Sequence, residues 1–173
     1  MPQRTLRRAE RKSHDLTWIT PSMKMAPGCP LNEQPSAKIR GLNHITLSVR
    51  ELNRSLVFYT EILGARVVAR WPRGAYLQAG DLWLALIVDE NVRQASLDEY
   101  SHTAFTVAAK DFAPLKKCII NSGATIWKEN LSPGASVYFL DPDGHKLEIH
   151  TGNLESRLAA AKEDAWDGLE LMD

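Results

Sequence analysis

From Gly41 onward, apolar and polar residues alternate along GLNHITLSV. Asn43, Ile45, Leu47 and Val49 share one face, and His44, Thr46 and Ser48 share the other. A period of two with one apolar face predicts a half-buried strand. The period then lengthens. In LNRSLVFYTEILG, Leu52, Leu56, Tyr59 and Leu63 recur at helical spacing, and Gly64 stands where a C′ glycine ends a helix. ARVVARW, GAYLQAG and LWLALIV follow as three short strand-like runs. The predicted order is strand, helix, strand, strand, strand.

The same order then returns. YSHTAFTVA alternates, with Ser101, Thr103, Phe105 and Val107 opposite His102, Ala104 and Thr106. DFAPLKKCIINSG predicts a helix ending at Gly123, with Asp111 as N-cap and Pro114 in the first turn. ATIWKE, ASVYFLD and HKLEIHT supply three more strands. His44 stands 20 positions before Gly64, and His102 stands 21 before Gly123. A histidine at the same place in both first strands points to an internal duplication. The predicted class is α+β, built from paired βαβββ modules at about 41–90 and 99–151. Each module buries one sheet face under its helix, so two modules form a curved mixed sheet around a cleft. The polar-face residues His44 and His102 then point into that cleft, within reach of each other.

Composition narrows the classes. The chain has 173 residues and formal net charge zero, which suits one globular domain, assigned here to 39–160. Neutrality gives no overall pull toward nucleic acid, and no run approaches the roughly 18 apolar residues of a membrane span. Cys29 and Cys118 form neither a disulfide framework nor a zinc motif, so a cytoplasmic protein is expected. Residues 1–38, basic and then rich in Pro and small polar residues, are expected to be a disordered or non-native extension. Residues 161–173 are expected to be a C-terminal tail.

The densest chemistry lies in YFLDPDGHKLEIH. DPDG is a turn signal, so Asp141 and Asp143 are expected to bond nearby amides, and His145 to make a structural hydrogen bond. Glu148 falls mid-strand on the polar face, where an ionised carboxylate in a cleft needs a cation. With His44 and His102 it makes a facial N,N,O set, suited to Mn²⁺, Fe²⁺ or Zn²⁺ with positions left open for substrate. His150 lies two residues on, roughly 7 Å along the strand, and is expected in a supporting or exposed position.

GLNHITLSV, EYSHTAF and the block from WKENLSPGAS through DPDGHKLEIHTGNLESRLA resemble the vicinal-oxygen-chelate superfamily. Within it they resemble the fosfomycin-resistance metallo-glutathione transferases of the FosA type. The resemblance implies a domain-swapped homodimer, in which a histidine of one chain completes the site of the other. It implies His44, His102 and Glu148 as Mn²⁺ ligands and thiol addition to the epoxide of fosfomycin, with glutathione as the thiol. It further implies Thr46 at the oxirane oxygen, Tyr76 assisting thiol ionisation and Trp83 on the cleft wall. Lys128, Ser132, Ser136, Tyr138 and Arg157 match the phosphonate-binding positions. Asn130, Ser132, Gly134 and Ser136 match a K⁺-binding loop, so K⁺ is the implied activator.

Departures from the family pattern are Leu131 and Pro133 in that loop, Thr103 after His102, and Ile87 and Arg73 toward the thiol. They bear on glutathione affinity and K⁺ activation and leave the metal residues intact. Three rivals share the fold: a glyoxalase-like isomerase, an extradiol dioxygenase and a non-catalytic drug-binding resistance protein. Leu82–Val88 holds no acid or histidine to serve as the fourth ligand an isomerase would need.

Overall fold

The computed structural model describes residues 39–131 and 134–172. The expectations for 1–38, and those for Ser132 and Pro133, lie outside the described residues. From Gly41 onward the chain forms one compact unit. It contains β1 (His44–Val49), α1 (Leu52–Val57), β2 (Arg66–Trp71), β3 (Gly74–Ala79) and β4 (Leu82–Val88). The second module contains β5 (Thr103–Thr106), α2 (Ala109–Asn121), β6 (Ile126–Lys128), β7 (Ser136–Leu140) and β8 (Lys146–His150), and α3 (Leu154–Glu163) follows.

The strand orders match module for module: β1-β4-β3-β2 and β5-β8-β7-β6. In each sheet the first strand lies parallel to the last, and the other neighbours are antiparallel. Both sheets therefore end on the strand that carries or immediately follows a histidine. The expected duplication is the architecture of the molecule.

One continuous core joins the modules. Leu47, Val49, Leu52, Leu56, Phe58, Leu77, Leu84 and Leu86 from the first pack with Ile119, Val137, Phe139, Leu147 and Ile149 from the second. These are the residues that the period-two and helical patterns place on apolar faces, and their burial removes the largest apolar area from water. Each sheet thus spends one face on the shared core and keeps the other for chemistry.

Four local expectations are corrected. The first helix turns π-helical over Phe58–Ile62, where the Leu63 amide reaches back to the Phe58 carbonyl (3.2 Å). The second helix starts at Ala109 with Ala108 as N-cap, so Asp111 sits inside the first turn, where it favours the positive end of the helix dipole. Pro114 accordingly lies inside the helix rather than in its first turn. His102 precedes β5 instead of lying within it. Gly64 and Gly123 end their helices as expected, at φ 72° and 77°.

Candidate functional site

The exposed face of the first sheet carries half of the predicted residues. The parallel register sets His44 beside Trp83 and Thr46 beside Ala85, and the antiparallel register sets Tyr76 across from Ala85. The His44 ring lies 4.4 Å from the Trp83 ring; Tyr76 packs edge-on to Trp83 at 5.1 Å, and Trp71 edge-on to Tyr76 at 4.8 Å. His44 Nδ1 lies 2.7 Å from Asn43 Oδ1, an atom that only accepts, so Nδ1 carries the proton and Nε2 keeps its lone pair. His44, Thr46, Tyr76 and Trp83 all remain open to solvent.

The second sheet carries the other half. His102 Nδ1 donates to the Tyr100 carbonyl (3.0 Å), which leaves Nε2 as the lone-pair nitrogen of the neutral ring. That nitrogen faces Glu148 Oε2 at 2.9 Å. Two acceptors at this distance repel unless a proton or a metal ion lies between them. Glu148 is buried at 6% exposure, and its recorded ion-pair partners are His102 and His150, both imidazoles. A buried carboxylate beside an oriented imidazole lone pair fits a divalent metal's donor set.

The surroundings hold this pair in place. Tyr138 stands opposite Glu148 in the β7–β8 register and is buried. Ser136 Oγ donates to Glu148 Oε1 at 2.6 Å. Its one proton is therefore given to the carboxylate. Lys128 places its ammonium over the rings of Tyr100 and Tyr138, at 4.5 and 4.8 Å from their centroids. Its hydrogen bond with Tyr100 raises the lysine pKa against the opposing effect of desolvation, so the cation persists. Trp127 closes the group, 5.7 Å from His102 and 5.3 Å from Tyr138.

Other expected residues belong to α3, to the loop that includes Asn130 and Gly134, and to the first module. Arg157 is on α3, half-buried, with its guanidinium 5.7 Å from the Trp166 ring. Asn130 Nδ2 donates to the carbonyl of Gly134 (2.8 Å), two residues of the loop expected to hold K⁺. Arg73 donates to the Val88 carbonyl at 3.1 Å, and Ile87 is half-buried.

The expectation that His44 and His102 meet within one chain is corrected. Among the described residues, no three His, Cys, Asp or Glu side chains form a set able to hold a metal ion. His44 belongs to β1 of one sheet and Glu148 to β8 of the other, and His102 immediately precedes β5 of that second sheet. Two cavities, of ≈ 500 and ≈ 630 Å³, lie elsewhere: one beneath Arg50, Phe58 and Asp141, the other between Tyr59, Leu82, Phe105 and Leu115. Neither is lined by His44, His102 or Glu148, because those residues lie on sheet faces rather than in a closed pocket.

Sequence reasoning passed over Tyr100 and Trp127. Both are aromatic neighbours of assigned residues, two before His102 and one before Lys128, and that adjacency was the available signal. It also underrated DPDG. Asp141 does accept from the amides of Asp143 and His145, as expected. It accepts as well from the Tyr59 hydroxyl and from His145 Nδ1, both at 2.8 Å. Asp143 accepts from the Arg54 guanidinium at 2.7 Å and from Ser55 Oγ at 3.1 Å. The turn is therefore a clasp between the second module and α1. Burial, then the Asp141 charge and hydrogen bond, raise the Tyr59 pKa, so the phenol stays protonated and donates.

Comparisons with known proteins place the chain in a family and match its fold. Residues 41–149 match the Glyoxalase/Bleomycin resistance protein/Dioxygenase superfamily. The glutathione transferase FosA of Serratia marcescens is 51% identical over 133 residues, covering 76% of this chain and 94% of that protein. The metallothiol transferase FosB of Staphylococcus haemolyticus (strain JCSC1435) is 39% identical over 129 residues, covering 72% of this chain and 93% of that protein. A crystal structure of a mutant fosfomycin resistance protein FosX from Listeria monocytogenes, complexed with Mn(II) and 1S,2S-dihydroxypropylphosphonic acid, superposes with TM-score 0.60 at 26% identity. It covers 70% of this chain and 99% of that one.

Proposed function

Because the chain belongs to the Glyoxalase/Bleomycin resistance protein/Dioxygenase superfamily, and within it to the fosfomycin-resistance proteins, we propose that it is a Mn²⁺-dependent glutathione transferase that opens the epoxide of fosfomycin. The observation that carries the reading is the His102–Glu148 pair. A tautomer set by the Tyr100 carbonyl leaves a nitrogen lone pair 2.9 Å from a buried carboxylate oxygen. His44, its Nδ1 likewise occupied, is the third ligand. We assign it to the other chain of a homodimer, a reading supported by the lack of any such three-residue group among the described residues of one chain.

When bound, the divalent ion supplies Lewis acidity at the oxirane oxygen, where negative charge grows as the ring opens. The chain's own residues do the rest. Ser136 and the Tyr100 carbonyl hold Glu148 and His102 in orientation. The Lys128 ammonium and the Tyr138 hydroxyl bind the phosphonate, and Ser132 and Arg157 are assigned to the same anion. Thr46, two residues from His44 on the same face, donates to the oxirane oxygen. Tyr76, set between Trp71 and Trp83, donates its hydroxyl proton to the thiolate sulfur, and a hydrogen bond to the charged form favours ionisation of the thiol. The thiol sulfur then forms a bond to an epoxide carbon as that carbon's bond to oxygen breaks. The oxygen keeps the electron pair and takes up a proton. K⁺ in the Asn130–Ser136 loop would add charge beside the phosphonate. The reaction is assigned to the cytoplasm, where glutathione is abundant.

The test is to incubate the chain with Mn²⁺, fosfomycin and glutathione, with and without K⁺, and to follow the phosphorus NMR signal. A new phosphonate resonance that requires both metal and thiol is expected. A diol product formed without thiol would make water the nucleophile, and no product with glutathione or any other thiol overturns the transferase reading.

A further inference from the structure

Next to Glu148 and Ser136 the structure holds His150, which the proposed reaction does not use. Ser136 Oγ lies 2.6 Å from Glu148 Oε1 and 2.7 Å from His150 Nδ1. A serine hydroxyl has one proton. If that proton went to His150, two acceptor oxygens would face each other at 2.6 Å with nothing between them. The proton therefore goes to Glu148, and His150 Nδ1–H donates to the serine oxygen. The hydrogen bonds run one way, from His150 to Ser136 to Glu148.

The His150 ring is held for this purpose. It sits across from Ser136 in the β7–β8 register, and its backbone carbonyl accepts from the Val107 amide at 2.9 Å. Two glycines press on the ring. A Cβ on Gly134 would come within 3.0 Å of His150 Cε1, and one on Gly152 within 3.1 Å of its Nε2. Both glycines have positive φ, 88° and 126°, so neither position suits a side chain. The imidazole side chain keeps 26% exposure and has little room to turn.

We propose that His150 is a positioning residue for the metal site: through Ser136 it fixes the carboxylate of Glu148 facing His102. The proposal rests on the reading of Glu148 as a metal ligand. Groups that orient ligands from outside the coordination sphere typically change metal affinity by about 10–100-fold when removed.

The experiment measures Mn²⁺ binding to the full chain, without substrate, from the electron paramagnetic resonance signal of free Mn²⁺. His150→Leu, which keeps bulk but loses the donor, is expected to bind about 10–100-fold more weakly. His150→Asn, whose amide nitrogen falls near the position of Nδ1, is expected to stay close to the unaltered chain. Unchanged affinity in the Leu variant, or equal loss in both, overturns the proposal and leaves the metal reading standing. A Glu148→Gln variant that binds Mn²⁺ as tightly as the unaltered chain overturns the metal reading and the proposal with it. Independently of metal, nitrogen–proton NMR of the His150 ring is expected to place the proton on Nδ1. A proton on Nε2 alone sinks the relay.

Discussion

Asp141 illustrates how much one side chain carries in this molecule. Its carboxylate receives two backbone amides, the Tyr59 phenol and the His145 imidazole. Burial acts to raise its pKa, but the hydrogen bonds and charge of His145, together with the Tyr59 hydroxyl, outweigh burial and hold the carboxyl below its usual range. A lowered folded-state pKa means that the native state favours the ionised form. The stabilisation is complete above the unfolded value of about 3.9 and is lost as pH falls through the lower folded value. Asp141→Asn is therefore expected to lower stability at neutral pH, with a shallower loss on acidification below about pH 4. Urea unfolding at several pH values measures both. Tyr59→Phe leaves the same carboxylate one donor short in the core and is expected to cost about 1–3 kcal/mol, read from the same curves.

At the scale of elements, the β2–β3 hairpin couples stability to the site. Trp71 pairs with Gly74 across its closing turn, and a Cβ on Gly74 would lie 2.5 Å from the Trp71 ring and 2.8 Å from the Leu86 carbonyl. The indole can swing away, but the β4 backbone cannot. Gly74→Ala is expected to destabilise the chain by about 1–3 kcal/mol, as overpacking does. It is also expected to disturb the row Trp71–Tyr76–Trp83–His44, visible as a changed near-ultraviolet circular dichroism spectrum. Elements also explain why the helix boundaries were only partly legible. Helical spacing marked Leu52, Leu56 and Tyr59, but the π-helical turn at Phe58–Ile62 leaves no mark in that spacing. Asp111 resembles an N-cap locally, yet the helix begins two residues earlier.

At the scale of the molecule, the proposed metal site is shared between two chains, and that proposal is open to test. Shared sites between chains make complementation possible. His44→Ala and His102→Ala variants are each expected to be inactive as thiol transferases. Mixed and refolded together, they are expected to recover about a quarter of the unaltered activity, since about half the dimers are mixed and each keeps one intact site. No recovery, with mixed dimers shown to form, would place all three ligands within one chain. Sedimentation of the unaltered chain is expected to report a dimer.

By itself the sequence determined the duplication, the strand and helix phases and the candidate ligands. Alternation and helical spacing are local properties, and a histidine recurring at the same offset in two units survives any uncertainty about packing. Tertiary structure decided what those residues meet. That Glu148 faces His102 and not His44, that Ser136 spends its proton on a carboxylate, and that Asp143 and Asp141 clasp α1 and the π-helical turn after it all depend on contacts between residues far apart in the chain. Such contacts are set by how two sheets share one core, and no local periodicity encodes them.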